Sequence, residues 1–200
     1  MTPYEIIGAP LTVWIAPIGT AFPAVDAAPA GEWLKLGTNG DRNYSADGVT
    51  VAHSKTYQKA RPAGATGPVK AFLDEEDLMF RVTLWDLTLE QYAYALNNNT
   101  VTTTAAGAGT PGTKKLGLSQ SVGRTAEFAL IARGLSPYDE NMAAQYCVPR
   151  CFDSGSAEIA YRKSVPAGLA LEFTALEDLA AANEEERFGY IIAQHQAALP

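Results

Sequence analysis

The stretch QYCVPRCFDSGSAEIAYRKSVPAGLALEFTALED, Gln145 to Asp178, decides how this chain is read. Cys147 and Cys151 stand four apart and invite a redox or metal reading. The residues around them argue otherwise. Met142, Ala144, Tyr146 and Val148 alternate with Ala143, Gln145, Cys147 and Pro149, a period of two that marks a strand. On a strand, residues four apart lie about 13 Å apart, whereas a disulfide needs Cα atoms within about 7 Å. A helix would bring the thiols together, but Pro149 between them opposes one. A structural zinc site takes about four ligands; the chain offers two Cys and the scattered His53 and His195. Two packed free thiols are therefore expected. Further on, VPAG (Val165 to Gly168) suits a tight reversal. After it Leu169, Leu171 and Phe173 face one way and Ala170, Glu172 and Thr174 the other.

The same alternation recurs along the chain. LTVWIA (Leu11 to Ala16) reads as a first strand and EWLKLG as a short second one, joined by a Pro/Ala-rich connection. VTVAHSKTYQ has Val49, Val51, His53, Lys55 and Tyr57 on one face. That face starts apolar and turns polar, as though the strand leaves the core. KARPAGATGP (Lys59 to Pro68) then reads as a Pro/Gly-rich surface loop. VKAFLDEEDLMFRVTLW suggests two strands around an acidic turn. RTAEFALIARG, NMAAQYCVPR, SAEIAYRK, LALEFTALED and RFGYIIAQ follow as strands. One helix is signalled near 88–97: Thr88 as N-cap, Gln91 completing a capping box, and Leu89, Tyr92, Ala93 and Leu96 as one apolar stripe ended by Asn97 to Asn99. Residues 100–118 read as a long connection or hairpin. The expectation is a mainly β, single-domain chain (1–200): two packed, mostly antiparallel sheets as a sandwich or barrel, a flanking helix, and a long arm loop near 57–68.

Composition bounds the function. The 200 residues carry 47% hydrophobic side chains, enough for a core, and 22 acidic against 15 basic residues for a net charge of −7. Such a chain is poorly suited to gripping phosphates. No apolar run is long enough to span a bilayer, and MTPYEIIGAPLTVW lacks the basic start and apolar centre of a signal peptide, so a reducing cytosol is expected. Chemistry-bearing motifs are weak. Gly107, Gly109 and Gly112 fit G-x-G-x-x-G, but no amphipathic helix follows to hold a pyrophosphate. Asp74 to Asp77 (DEED) and NEEER (Asn183 to Arg187) read as solvated turns rather than calcium loops. There is no G-x-S-x-G elbow. No enzymatic activity, cofactor or metal is expected.

An ordered series of short features now carries a resemblance. VWIAPIGTAFP (Val13 to Pro23) is followed by WLKLG (Trp33 to Gly37) and DGVTV (Asp47 to Val51). FRVTLWDLTLEQYAYAL (Phe80 to Leu96) runs a strand into a helix. CVPRCFDSGSAEIAYRK, LALEFTALED and FGYII close the series. In this order and spacing the chain resembles the tail tube (major tail) proteins of long-tailed bacteriophages over most of its length; TTTAAGAGTPGTKK (102–115) departs from the pattern.

The resemblance implies a structural subunit of the virion tail, assembled in the host cytoplasm. It implies hexameric rings stacked around a tape measure protein, with tail tip and terminator proteins at the ends and DNA passing through the lumen without specific binding. An acidic lumen would repel the DNA backbone. Wet-face candidates for lining it are Arg81 and Thr83, Glu158 and Arg162, and Glu172 and Thr174, with Glu158 and Glu172 the acidic ones. The arm, through Tyr57, Gln58, Lys59, Arg61, Pro62, Gly64, Thr66 and Pro68, would reach an adjacent subunit or ring. The alternatives are a tail terminator or capsid decoration protein forming a single ring or small oligomer, and an enzyme or ligand module on a β-sandwich, which would need a pocket with convergent polar groups.

Overall fold

The computed structural model describes residue 8 and residues 10–120, 123–137 and 142–194. The fold is mainly β, with a large antiparallel sheet, a small two-stranded one and one α-helix. The strands are β1 (Thr12–Pro17), β2 (Leu34–Lys35), β3 (Tyr44–Ala60), β4 (Lys70–Leu84), β5 (Val101–Thr104), β6 (Thr113–Leu116), β7 (Phe128–Leu135), β8 (Ala143–Asp153), β9 (Leu169–Ala175) and β10 (Tyr190–Ala193). Hydrogen bonds connect the large sheet in the order β2-β1-β7-β8-β9-β4-β3, and β10 also pairs with β8.

The two expected layers are the two halves of this one curled sheet, joined along β8. The first half of β8 pairs with β10, Tyr190 opposite Cys147, while its last residues, Cys151 to Asp153, pair with β9. Between them the register of β8 against β7 slips by one residue, between the pairs Leu130–Val148 and Phe128–Cys151. Pro149 falls in this bulge. A proline cannot donate to a ladder, and a bulge is where a central strand tolerates one. The bulge also bends β8, so the strand changes layer, which is how corners form in packed sheets.

The core lies between the layers. Val13 and Ile15 of β1, Leu130 of β7 and Val148 of β8 meet Phe80, Val82 and Leu84 of β4 and Leu169, Leu171 and Phe173 of β9. Each such side chain contributes about 1.5–3 kcal/mol when fully buried. Phe128 sets its ring edge-on to Phe173, with centroids 6.5 Å apart. Tyr44, at the root of β3, ties the layers together: its hydroxyl accepts from Val13 N at 3.1 Å and donates to Leu36 O at 2.9 Å. Cys147 and Cys151 are free and buried, as the strand reading required.

The outer face of β1 and β7 carries a second small cluster, Ala16, Trp33, Ala129 and Ile131. The Pro/Ala-rich connection folds over it. Trp33 Nε1 donates to Ala21 O (3.1 Å), Gln145 Nε2 to Pro23 O (3.0 Å), and the Arg133 guanidinium to Val25 O (2.6 Å) and Ala27 O (2.5 Å).

Helix α1 spans Leu89–Tyr94, shorter than the expected 88–97. Thr88 Oγ1 accepts from Gln91 N at 3.2 Å, so the N-cap forms. The reciprocal half of the box does not: Thr88 N donates to Asp86 O instead. Asn97 and Asn98 take positive φ values of 57° and 56°, and Asn98 N closes onto Ala93 O at 2.8 Å, which ends the helix in the left-handed manner. Residues 100–118 form the β5–β6 hairpin, with Gly107 and Thr110 bridged at its turn, so the G-x-G-x-x-G match has no helix to open.

Two strand expectations change. DEED is not a turn between two strands: β4 runs unbroken through it, because β3 supplies cross-strand partners for Glu75, Glu76 and Asp77 and resumes at Leu73. SAEIAYRK forms no strand. Asp153 Oδ1 accepts from Glu172 N (3.0 Å) and Gly155 N (3.4 Å), which ends β8 and turns the chain aside. Past Gly155 only Ile159 finds core to pack against, while Tyr161 is 75% exposed, so the alternation has no face to bury.

Candidate assembly surface

The longest pairing in the molecule is β3 with β4, and only half of it belongs to the body. From Tyr44 to Val51 and from Leu78 to Leu84 the strands contribute to or pack on the core. Beyond His53 the pair continues outward as an arm, residues 54–77, exposed except at Glu76. The tip is Arg61 to Val69, where Ala65 N closes a turn on Pro62 O and Val69 N bonds Ala60 O at 2.9 Å. Of the expected arm residues, Tyr57, Gln58 and Lys59 therefore lie in β3, and Arg61, Pro62, Gly64, Thr66 and Pro68 in the loop. The arm is a hairpin that starts nearer the body than the Pro/Gly content suggested.

Polar side chains hold its neck. Glu76 Oε1 lies 2.5 Å from His53 Nε2 and 3.3 Å from Lys55 Nζ. Desolvation acts to raise the Glu76 pKa, but the His53 and Lys55 bonds outweigh it and hold the carboxyl below its ordinary range. A bulge between Thr56 and Tyr57 leaves Asp74 unopposed, and Asp74 Oδ2 accepts from Gln58 Nε2 at 2.9 Å. Past the bulge the arm is apolar on both faces. Tyr57 stands opposite Leu73 on one face, and Phe72 opposite Gln58 on the other. Each of these three apolar side chains is about half exposed, and Val69 is 65% exposed. An isolated two-stranded hairpin is marginal in water. Apolar residues on both of its faces suit burial against other molecules.

The lumen candidates divide. Arg81 and Thr83 on β4 and Glu172 and Thr174 on β9 share the outer, wet face of this half-sheet. Arg81 is directly opposite Glu172, and Arg81 Nε is ion-paired with Glu172 Oε2. Thr174 Oγ1 meets Ser154 Oγ at 2.7 Å. Asp153, opposite Phe173 in register and so on the other side of the sheet, is half-buried where β8 ends; burial raises its pKa, partly offset by the N–H groups of Glu172 and Gly155. Glu158 and Arg162 do not join this face as strand residues. They lie in the irregular run 154–168, where Arg162 bridges only to Val165.

Sequence reasoning missed a groove beside the arm's neck. It has a volume of about 500 Å³ and lies between Val51 and Leu78 on one side and Phe188 to Ile191 on the other, with Tyr146 and Val148 at its base. Gly189 makes this approach possible. Its φ is +113°, and a Cβ there would fall 2.0 Å from Cys147 O. Tyr190 then sits against Cys147, its phenol pushed up to about 12, chiefly by burial. The signal available in the sequence was FGYII, where adjacent Ile191 and Ile192 break the alternation; they are 57% and 39% exposed.

The described residues hold no group of three or more His, Cys, Asp or Glu placed to bind a metal ion. Among them no helix is long and apolar enough to cross a membrane. No protein-family model matches the chain, and neither does any curated protein.

Proposed function

We propose that this chain is a structural subunit of a phage tail tube. It self-assembles into stacked hexameric rings around a tape measure protein, between tail tip and terminator proteins, and the finished tube conducts DNA. The observation that carries the reading is the arm: a long hairpin projecting from a packed body, apolar on both faces, and left exposed by the described residues. A side chain that is half exposed on a free monomer becomes useful when identical neighbours cover it, and repeated contacts between identical chains build rings or open stacks. The sheet edges agree with this, since among the described residues β3 pairs only with β4 and β10 only with β8. On the wet face of β4 and β9, Arg81 already compensates Glu172. Repulsion of DNA in a lumen lined by that face would then rest mainly on the net charge of −7.

The test is size-exclusion chromatography across concentration, with negative-stain electron microscopy of each fraction. Hollow rings or tubes support the proposal, and Arg61→Glu should then weaken polymerisation while leaving the monomer folded. Single rings that never stack favour a terminator-like role. A monomer that stays monomeric with tail tip complex and tape measure protein overturns the tube reading.

A further inference from the structure

The arm and the groove are complementary in chemistry. Between Tyr57 and Leu73 the arm carries Lys59, Arg61 and Lys70 and no acidic residue. The groove has an apolar floor and walls, while Glu76 and Glu185 stand in its lining. Glu185 lies in a short 3-10 turn, Glu184–Glu186, and makes no ion pair among the described residues. Lys59 and Arg61 likewise have no acidic partner there.

The two faces of the arm are not equal. On one, the Lys70 ammonium sits 5.1 Å from the Phe72 ring centroid and partly occupies it. On the other, the cross-strand register sets Tyr57 and Leu73 together, with Lys59 two residues on and so on the same side. That second face offers an apolar pair and a free cation, complementary to a groove lined by apolar side chains and by Glu185. The arm cannot reach its own groove without folding back. His53 lines the groove, and Ala60 lies seven residues further out along β3, about 23 Å at about 3.3 Å per residue.

Resting on the self-assembly reading above, we propose that the groove between the arm's neck and β10 receives the arm of a second copy of the chain. Tyr57 and Leu73 enter against Phe188 and Ile191, and Lys59 meets Glu185; Glu76 already serves His53 and Lys55 of its own copy. The contact is heterologous: the arm of one copy uses a different surface on the next, leaving that copy's own arm free to continue the assembly. Such contacts generate rings or open stacks rather than closed pairs.

Cross-linking between two single-cysteine variants tests the docking. Lys59→Cys and Glu185→Cys proteins are mixed under assembly conditions with a mild oxidant; the native Cys147 and Cys151 are buried and do not compete. A disulfide-linked pair is expected in the mixture and not in either variant alone. In parallel, Lys59→Glu and Glu185→Lys should each raise the concentration needed for assembly about tenfold, through like-charge contact, and the two together should restore it. Normal rings or tubes without the cross-link, and with no response to either reversal, would overturn the docking site and leave self-assembly standing. A wild-type chain that remains monomeric at every concentration, with tail tip complex and tape measure protein present, would overturn both.

Discussion

The root and the tip of the β3–β4 pair are built from the same two strands and the same ladder, yet they answer to different physics. At the root, Tyr44, Phe80, Val82 and Leu84 are almost fully buried against the other layer. Toward the tip, Tyr57, Phe72 and Leu73 are as apolar but about half exposed. Pairing alone therefore does not decide where a strand is stabilised. The ladder continues for as long as each strand finds a partner, whereas burial stops where the second layer stops. The root is held by the core, and the tip is carried by the root.

The largest effects should separate these two regions. Phe173→Ala removes a ring from the centre of the core, next to Phe128, and should cost about 3–5 kcal/mol. Phe72→Ala removes the same ring from the arm and should change the stability of the free chain by no more than about 0.5 kcal/mol. Denaturant unfolding of both variants measures the contrast. A Phe72 variant as damaging as Phe173→Ala would mean that the arm is covered within the monomer, and the comparison would fail.

A smaller contrast lies within β3 itself. Tyr44→Phe leaves Val13 N and Leu36 O without their shared hydroxyl in a buried site, at a cost of about 1–3 kcal/mol. Tyr57→Phe, thirteen residues further along the same strand, loses a hydroxyl that is not needed by the core and should leave the unfolding midpoint unchanged. If both substitutions were neutral, the Tyr44 hydroxyl would not be the tie between the layers.

Much of the root was legible in the sequence, because burial on one face writes a period of two. Leu169, Leu171 and Phe173 against Ala170, Glu172 and Thr174 marked β9 and its wet face, and Arg81 and Thr83 marked a wet face on another strand; that the two strands are neighbours, with Arg81 opposite Glu172, depends on a pairing between distant segments. The helix start was legible because Thr88 acts through residues three positions away. DEED misled because four acids resemble a solvated turn. What keeps them in a strand is His53, Lys55 and Gln58 on the partner strand, more than a dozen residues earlier in the chain. Glu158 and Arg162 misled in the opposite way, since their stretch alternates but has no layer to face. The groove beside β10 joins elements far apart in the chain, from Val51 to Ile191, and no local pattern announces it.

The end of β8 offers the smallest test, at a half-buried acid of the body to set against the exposed acids of the arm. Asp153 sits where β8 ends, its Oδ1 accepting from Glu172 N and Gly155 N. Burial is the largest influence on its carboxyl and raises the pKa above 3.8, with the two N–H groups pulling the other way. The folded state therefore holds this proton more tightly than the unfolded chain does. Between the ordinary and the raised pKa the folded state binds more protons, so this group's contribution to stability falls as pH rises through that window. Asp153→Asn keeps the accepting oxygen and removes the charge. It should unfold no more easily than the wild type at neutral pH, and its stability should change less across the window just above pH 3.8. Asp153→Ala, which removes the acceptor, should lose about 1–2 kcal/mol at every pH. An Asn variant that proved as unstable as the Ala variant would mean that the charge itself, and not the accepting oxygen, holds the β8 terminus.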